Sequence, residues 1–156
     1  MLYVDSSALI KHYIRETGTD ALEAKLIEPN TRVFISTLGY AEISAAFARR
    51  MREGLLPRRE ASLLFARFRE EWMFDLNHVE LNVGVLGFIP RLVNDYPLRG
   101  PDAIHLASAL SLRDSARLSM HAATSVRSLT FASSDKQLNN AASAEGLAVF
   151  DPESKP

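Results

Sequence analysis

Twice in this chain a short apolar run stops at an aspartate and helix-forming residues follow at once. Leu2-Tyr3-Val4 leads to Asp5, and Leu129-Thr130-Phe131-Ala132 leads through Ser133-Ser134 to Asp135. Apolar runs this short, bounded by polar residues, have the length of buried strands. Small polar residues ahead of a helical pattern are start signals, and Ser6-Ser7 are read here as capping residues for a helix through Ala8-Leu9-Ile10. A strand that ends on an acid and feeds a helix, at both ends of one chain, restricts the fold to architectures that alternate strands and helices across a sheet.

The stretch between these ends repeats the alternation. After Gly18 a short helix carries Ala21, Leu22, Ala24, Leu26 and Ile27 and stops before Pro29-Asn30; Val33-Phe34-Ile35 is then a second buried strand. From Thr37 to Glu53, Tyr40, Ile43, Phe47 and Met51 recur three and four apart on one helical stripe. Pro57 opens a partner helix with Ala61, Leu64, Phe65, Phe68 and Trp72 on its apolar face. A short strand is expected within Leu76 to Leu81, an apolar helix from Val83 toward Val93, and a helix begun by Gly100-Pro101-Asp102. Leu118 to Ser125 has no clear period and is read as a loop or frayed helix. A helix from Asp135 to Ala144 closes at Gly146, and Leu147 to Phe150 adds a last strand. Because parallel strands need crossover helices, the pattern is that of an α/β sandwich with a mainly parallel sheet. One domain over 1–150 is expected, with 151–156 a disordered tail.

Charge and composition narrow the function. Eighteen Lys and Arg against nineteen Asp and Glu leave a net charge of −1, so any nucleic-acid contact must be local rather than global. Arg49, Arg50, Arg52, Arg58, Arg59, Arg67 and Arg69 cluster on the helical pair, where solvated helix faces are the plain explanation. With no cysteine, disulfides, thiolate catalysis and thiolate zinc sites are excluded. No signal-peptide pattern opens the chain and no run approaches the ~18 apolar residues of a membrane span, so a cytoplasmic protein with no membrane partner is expected.

Four acids fall where a parallel sheet gathers its ligands, beyond the carboxyl ends of its strands. Asp5 and Asp135 sit at strand-to-helix junctions, Asp102 in the first turn of a helix, and Glu42 about one turn inside the helix after the second strand. Taken singly, each has an ordinary role as a cap, a dipole partner or a surface charge. Taken together they would repel one another, and a divalent cation resolves that conflict. Oxygen donors without Cys or clustered His select magnesium or manganese.

Four motifs in sequence order then acquire a specific meaning: Tyr3-Val4-Asp5-Ser6-Ser7-Ala8-Leu9-Ile10, Tyr40-Ala41-Glu42-Ile43, Pro101-Asp102-Ala103-Ile104-His105-Leu106-Ala107, and Phe131-Ala132-Ser133-Ser134-Asp135-Lys136-Gln137-Leu138. With them the chain resembles the PIN domain family, and within it the VapC-type toxins of toxin-antitoxin pairs. The resemblance implies a three-layer α/β/α sandwich and a metal-dependent endoribonuclease that hydrolyses RNA phosphodiester bonds. It further implies metal ligation by Asp5, Glu42, Asp102 and Asp135, and supporting hydroxyls at Ser7 and Ser133. The partners it implies are an RNA substrate, a small cognate antitoxin lying across the helices, and a second copy in a homodimer. Two features depart from the family's pattern: serine stands at 133 where threonine is common, and the stretch from Leu118 to Ser125 is longer than usual.

The expected chemistry is attack by a metal-activated water on a phosphodiester, with a metal also stabilising the charge that develops on the phosphate. Asp5 and Asp102 are the expected direct ligands, and Glu42 and Asp135 ligate directly or through water. His105 follows Asp102 by three residues and shares its helix face, within reach to help position it; an ordinary packed histidine is the alternative. No nucleophile elbow and no phosphate-cradling glycine loop is present. The rival functions are a PIN-like module that binds RNA or protein without cutting, and an RNA-processing nuclease outside toxin-antitoxin systems.

Overall fold

The computed structural model describes residues 1–119 and 129–154. Five strands form one sheet: β1 (Leu2–Val4), β2 (Val33–Ser36), β3 (Asn77–Val79), β4 (Thr130–Ala132) and β5 (Ala148–Phe150). Their order is β3-β2-β1-β4-β5, and every pairing is parallel. The described helices are α1 (Ser6–Tyr13), α2 (Thr19–Leu26), α3 (Leu38–Arg52), α4 (Arg58–Phe74), α5 (Val83–Asp95), α6 (Gly100–Ser119) and α7 (Lys136–Ala144).

Strand pleating explains the layers. Successive side chains point to opposite faces, so Leu2 and Val4 pack with α1 to α4 while Tyr3 packs with α5 to α7. One core joins Leu2, Val4, Ile35 and Ala132 to Leu9, Leu22, Ile43, Phe47 and Phe68. The other joins Tyr3, Phe34 and Phe131 to Val85, Leu92, Leu106, Leu110 and Leu138. Tyr3 and Phe131, paired in register, stack at 5.4 Å between ring centres. The result is a three-layer α/β/α sandwich whose inner strands β1, β2 and β4 are covered on both faces, which is why they read as short apolar runs.

The topology creates a crevice. The chain starts on the central strand β1, adds β2 and β3 to one side, then crosses to add β4 and β5 to the other. Such a reversal of direction leaves a gap at the carboxyl ends of the two strands that flank it, here β1 and β4.

Three local details differ from expectation. The cap of α1 is Asp5, whose side chain accepts from the Ala8 amide, and Ser6 and Ser7 are the first helical residues. The expected disordered tail is a turn over residues 151–154: Pro152 is buried and Glu153 accepts from Lys11 Nζ at 2.6 Å. Gly18, at a φ of 89°, allows this, since a Cβ there would stand 2.8 Å from the Pro152 carbonyl oxygen. Leu118 lies in α6, whereas the expected loop from 120 to 125, like residues 155–156, falls outside the described residues. Among the described residues, no helix is long and apolar enough to cross a membrane.

Candidate active site

Asp5 leaves β1 at the crevice and is 4% exposed. Its Oδ1 accepts from the Ala8 amide at 2.9 Å, which caps α1. Ser7 Oγ donates to both carboxylate oxygens, at 2.9 and 3.0 Å, and Ser133 Oγ donates to Oδ2 at 3.1 Å. Each serine in turn accepts a backbone amide from the β4–α7 turn: Ser134 N–H reaches Ser7 Oγ, and Asp135 N–H reaches Ser133 Oγ, both at 3.0 Å. Ser7 and Ser133 therefore stitch the ends of β1 and β4 together around one carboxylate. Burial pushes the Asp5 carboxyl above the ordinary aspartate range, against the His105 ring and these donors, which pull it down.

Asp135 is the exposed cap of α7 and accepts from the Leu138 amide at 2.9 Å. Asp102 is half-buried in the first turn of α6. Burial and then the Asp135 charge push its carboxyl up; Glu42 adds to this, while a backbone hydrogen bond at Arg99 and the His105 ring oppose it. Asp102 thus meets repulsion from Asp135 and Glu42 that its own donors do not offset.

Glu42 arrives from α3. Gly39, in the first turn, lets that helix close on the sheet, since a Cβ there would run into Ile35 Cδ1 and lie 3.4 Å from Ser6 Oγ. Glu42 Oε2 accepts from Ser6 Oγ at 2.6 Å and lies 2.7 Å from His105 Nε2. Burial alone would raise this carboxyl, but the His105 hydrogen bond and charge, with the Ser6 donor, hold it below the ordinary glutamate range. The buried His105 ring, expected to steady Asp102, gives its nitrogens instead to Glu42 and to the Tyr3 hydroxyl, 3.0 Å from Nδ1.

Sequence reasoning missed Tyr3 and Ser6. Tyr3 is a lone phenol in a strand that otherwise reads as core, and Ser6 was masked by its apparent role as a cap. A cavity of about 360 Å³ opens beside Glu42, with Ser6, Ser7 and Ser134 at one end and, farther along α3, Arg49 and Arg50 facing Lys11, Glu16 and Glu153. Of the clustered arginines, Arg50 is tied to Glu16 at 2.7 Å and Arg67 to Glu71 at 2.7 Å. Among the described residues, no three His, Asp or Glu side chains stand close enough together to hold a metal ion. The donor chemistry is nonetheless that of a hard cation: carboxylates and hydroxyls, two of the carboxylates pushed up by burial.

The sequence profile of the PIN domain matches residues 2–143. The chain belongs to the PIN domain family. Two curated relatives of this PIN domain, Ribonuclease VapC45 and Ribonuclease VapC49 of Mycobacterium tuberculosis, are each 30% identical over 156 residues, covering 100% of this chain and 99% of the relative. The PIN domain here is of that VapC type. Its fold is shared with VapBC2 from Rickettsia felis, solved bound to a promoter DNA fragment, at a TM-score of 0.64 and 9% identity over 97% of this chain and 98% of that one. It is also shared with VapBC-1 from nontypeable Haemophilus influenzae, at a TM-score of 0.62 and 16% identity over 99% of this chain and 100% of that one.

Proposed function

We propose that this PIN domain is an endoribonuclease that hydrolyses RNA phosphodiester bonds with magnesium or manganese as cofactor, and that it is the toxin of a toxin-antitoxin pair. The observation that carries this reading is the match to named ribonucleases along the whole chain; Asp102, which Asp135 and Glu42 push up by their charge, and Asp5 at the end of β1 support it.

Asp5 and Asp102 would hold the cation directly, with Glu42 and Asp135 holding it directly or through water. A carboxylate offers about four lone-pair positions, and each Asp5 oxygen already faces two donors, so a cation there would displace the Ser7 contact from one of the two oxygens it shares. Bound there, a divalent cation supplies an acidified water and a counter-charge for the phosphate. The chain's own residues do the positioning. Ser7 and Ser133 lock Asp5 in place, Ser6 and His105 orient Glu42, and the exposed Asp135 stands at the mouth where RNA enters. The cavity that runs from Glu42 to Arg49 and Arg50 suits the backbone of a single strand next to the cut.

Two exposed apolar surfaces support the partners. Leu55 and Leu63 are exposed together at the start of α4, and Met73 and Phe74 are exposed at its far end, apolar positions suited to an antitoxin segment along the helix. On α5, Val83, Leu86 and Val93 recur on one stripe and suit a homodimer contact. The reading places the protein in the cytoplasm with its RNA.

The test incubates the partner-free protein with total cellular RNA in magnesium, manganese or chelator, beside Asp102→Asn, and maps new RNA ends by sequencing. Discrete cuts that need both cation and Asp102, and fall at least ~100-fold without it, are expected. Metal-independent cleavage, or equal cleavage by Asp102→Asn, would refute the assignment. Intact RNA under every condition favours the non-cleaving binding module.

A further inference from the structure

His105 is 2% exposed and sits where four elements meet: its own α6, β1 through Tyr3, α3 through Glu42 and α1 through Ser6. Both ring nitrogens are engaged across the interior, Nδ1 at 3.0 Å from the Tyr3 hydroxyl and Nε2 at 2.7 Å from Glu42 Oε2. The Tyr3 hydroxyl is itself anchored, accepting the Ser36 amide of β2 at 3.2 Å.

The direction of these bonds follows from the groups at either end. An ionised carboxylate only accepts, so the proton between His105 and Glu42 sits on Nε2. In the neutral ring, protonated at Nε2, Nδ1 is bare and accepts from the Tyr3 hydroxyl, whereas a charged ring would donate from Nδ1 to the Tyr3 oxygen. A chain of bonds then runs from the Ser36 amide to the Tyr3 oxygen, from the Tyr3 hydroxyl to Nδ1, and from Nε2 to Glu42. Ser6 Oγ donates to the same Glu42 oxygen at 2.6 Å. Two donors on Oε2 fix the rotation of the carboxylate, and among the described residues no donor engages Oε1.

We propose that His105 is a positioning residue for Glu42. Locked as the Nε2–H tautomer by the Tyr3 hydroxyl, it acts with Ser6 to hold Oε2 against the protein and present Oε1 to the cation site. A buried tyrosine in the first strand thereby sets the pose of an acid on α3. The functional half of the proposal rests on the nuclease reading above; the tautomer does not.

The test has two parts, neither of which uses RNA. Ring nitrogen-15 NMR of the protein in chelator, with the His105 signals assigned by their loss in His105→Gln, is expected to show a protonated Nε2 and a bare Nδ1, and Tyr3→Phe is expected to relax that preference. Direct titration with manganese, read by electron paramagnetic resonance, is expected to show His105→Leu weakened roughly 10- to 100-fold, as for other lost partners of metal ligands. His105→Gln, which keeps an N–H at similar reach, is expected to recover much of that loss, whereas a purely structural histidine would show no such rescue. A bare Nε2, or a folded His105→Leu that binds manganese as the wild type does, would overturn the proposal. A wild type that binds no manganese overturns the nuclease reading and the functional half with it, and the NMR result then decides the tautomer alone.

Discussion

At Asp5 a buried position, a helix cap and a negative charge compete for the same two oxygens. Its folded pKa is raised, so between the ordinary aspartate value and the raised one the folded chain binds more protons than the unfolded chain. Stability therefore falls as pH rises through that window, and Asp102, raised for similar reasons, adds to the same slope. Glu42 has the opposite sign: its lowered pKa adds stability above the ordinary glutamate value, which is lost as pH falls through the folded one. In chelator at neutral pH, Asp5→Asn is expected to melt higher than the wild type and to flatten the slope, each kcal/mol relieved being worth roughly 2–4 °C in a chain of this size. The same substitution is expected to abolish cleavage, a trade of activity for stability. Thermal melts across pH check this, and an Asp5→Asn that melts lower at neutral pH would contradict it. These acids were legible in the sequence because each falls at a strand end or helix start. The clamp of Ser7 and Ser133 across β1 and β4 entered only through family resemblance, and the route from Tyr3 through His105 to Glu42 joins residues far apart in sequence.

At the scale of elements, α3 shows how backbone proximity sets a functional side chain. Gly39 lets its first turn close on Ile35 and Ser6, and Glu42 follows three residues later. Gly39→Ala is expected to cost about 1–3 kcal/mol through overpacking and to weaken manganese binding by shifting Glu42. Urea denaturation and metal titration check both, and an unchanged variant would show that the approach is not needed. The strands that pack on both faces are readable as apolar runs; β3 falls within the expected Leu76 to Leu81 but its pattern is weak, because it lies at the sheet edge with Asn77 and His78 in its three residues. The cap of α1 was misread because two serines after an aspartate look like the cap itself. In the fold they turn their hydroxyls to Asp5 and Glu42.

For the whole molecule, the site is a consequence of topology. The chain reverses direction at β1, and two cores on opposite faces of the sheet hold the ends of β1 and β4 in register. Phe131 is fully buried against Tyr3, and Phe131→Ala is expected to cost about 3–5 kcal/mol, which equilibrium denaturation measures. The alternation of strand and helix made this architecture legible. The ordered turn over 151–154 was not, since a polar proline-bounded ending has no pattern to mark its contact with Gly18 and Lys11. The most direct measurement is anomalous diffraction from crystals soaked in manganese. A peak in contact with both Asp5 and Asp102 is the expected result, whereas a peak elsewhere, or none at saturating manganese, would contradict the claim that these acids converge to hold a cation.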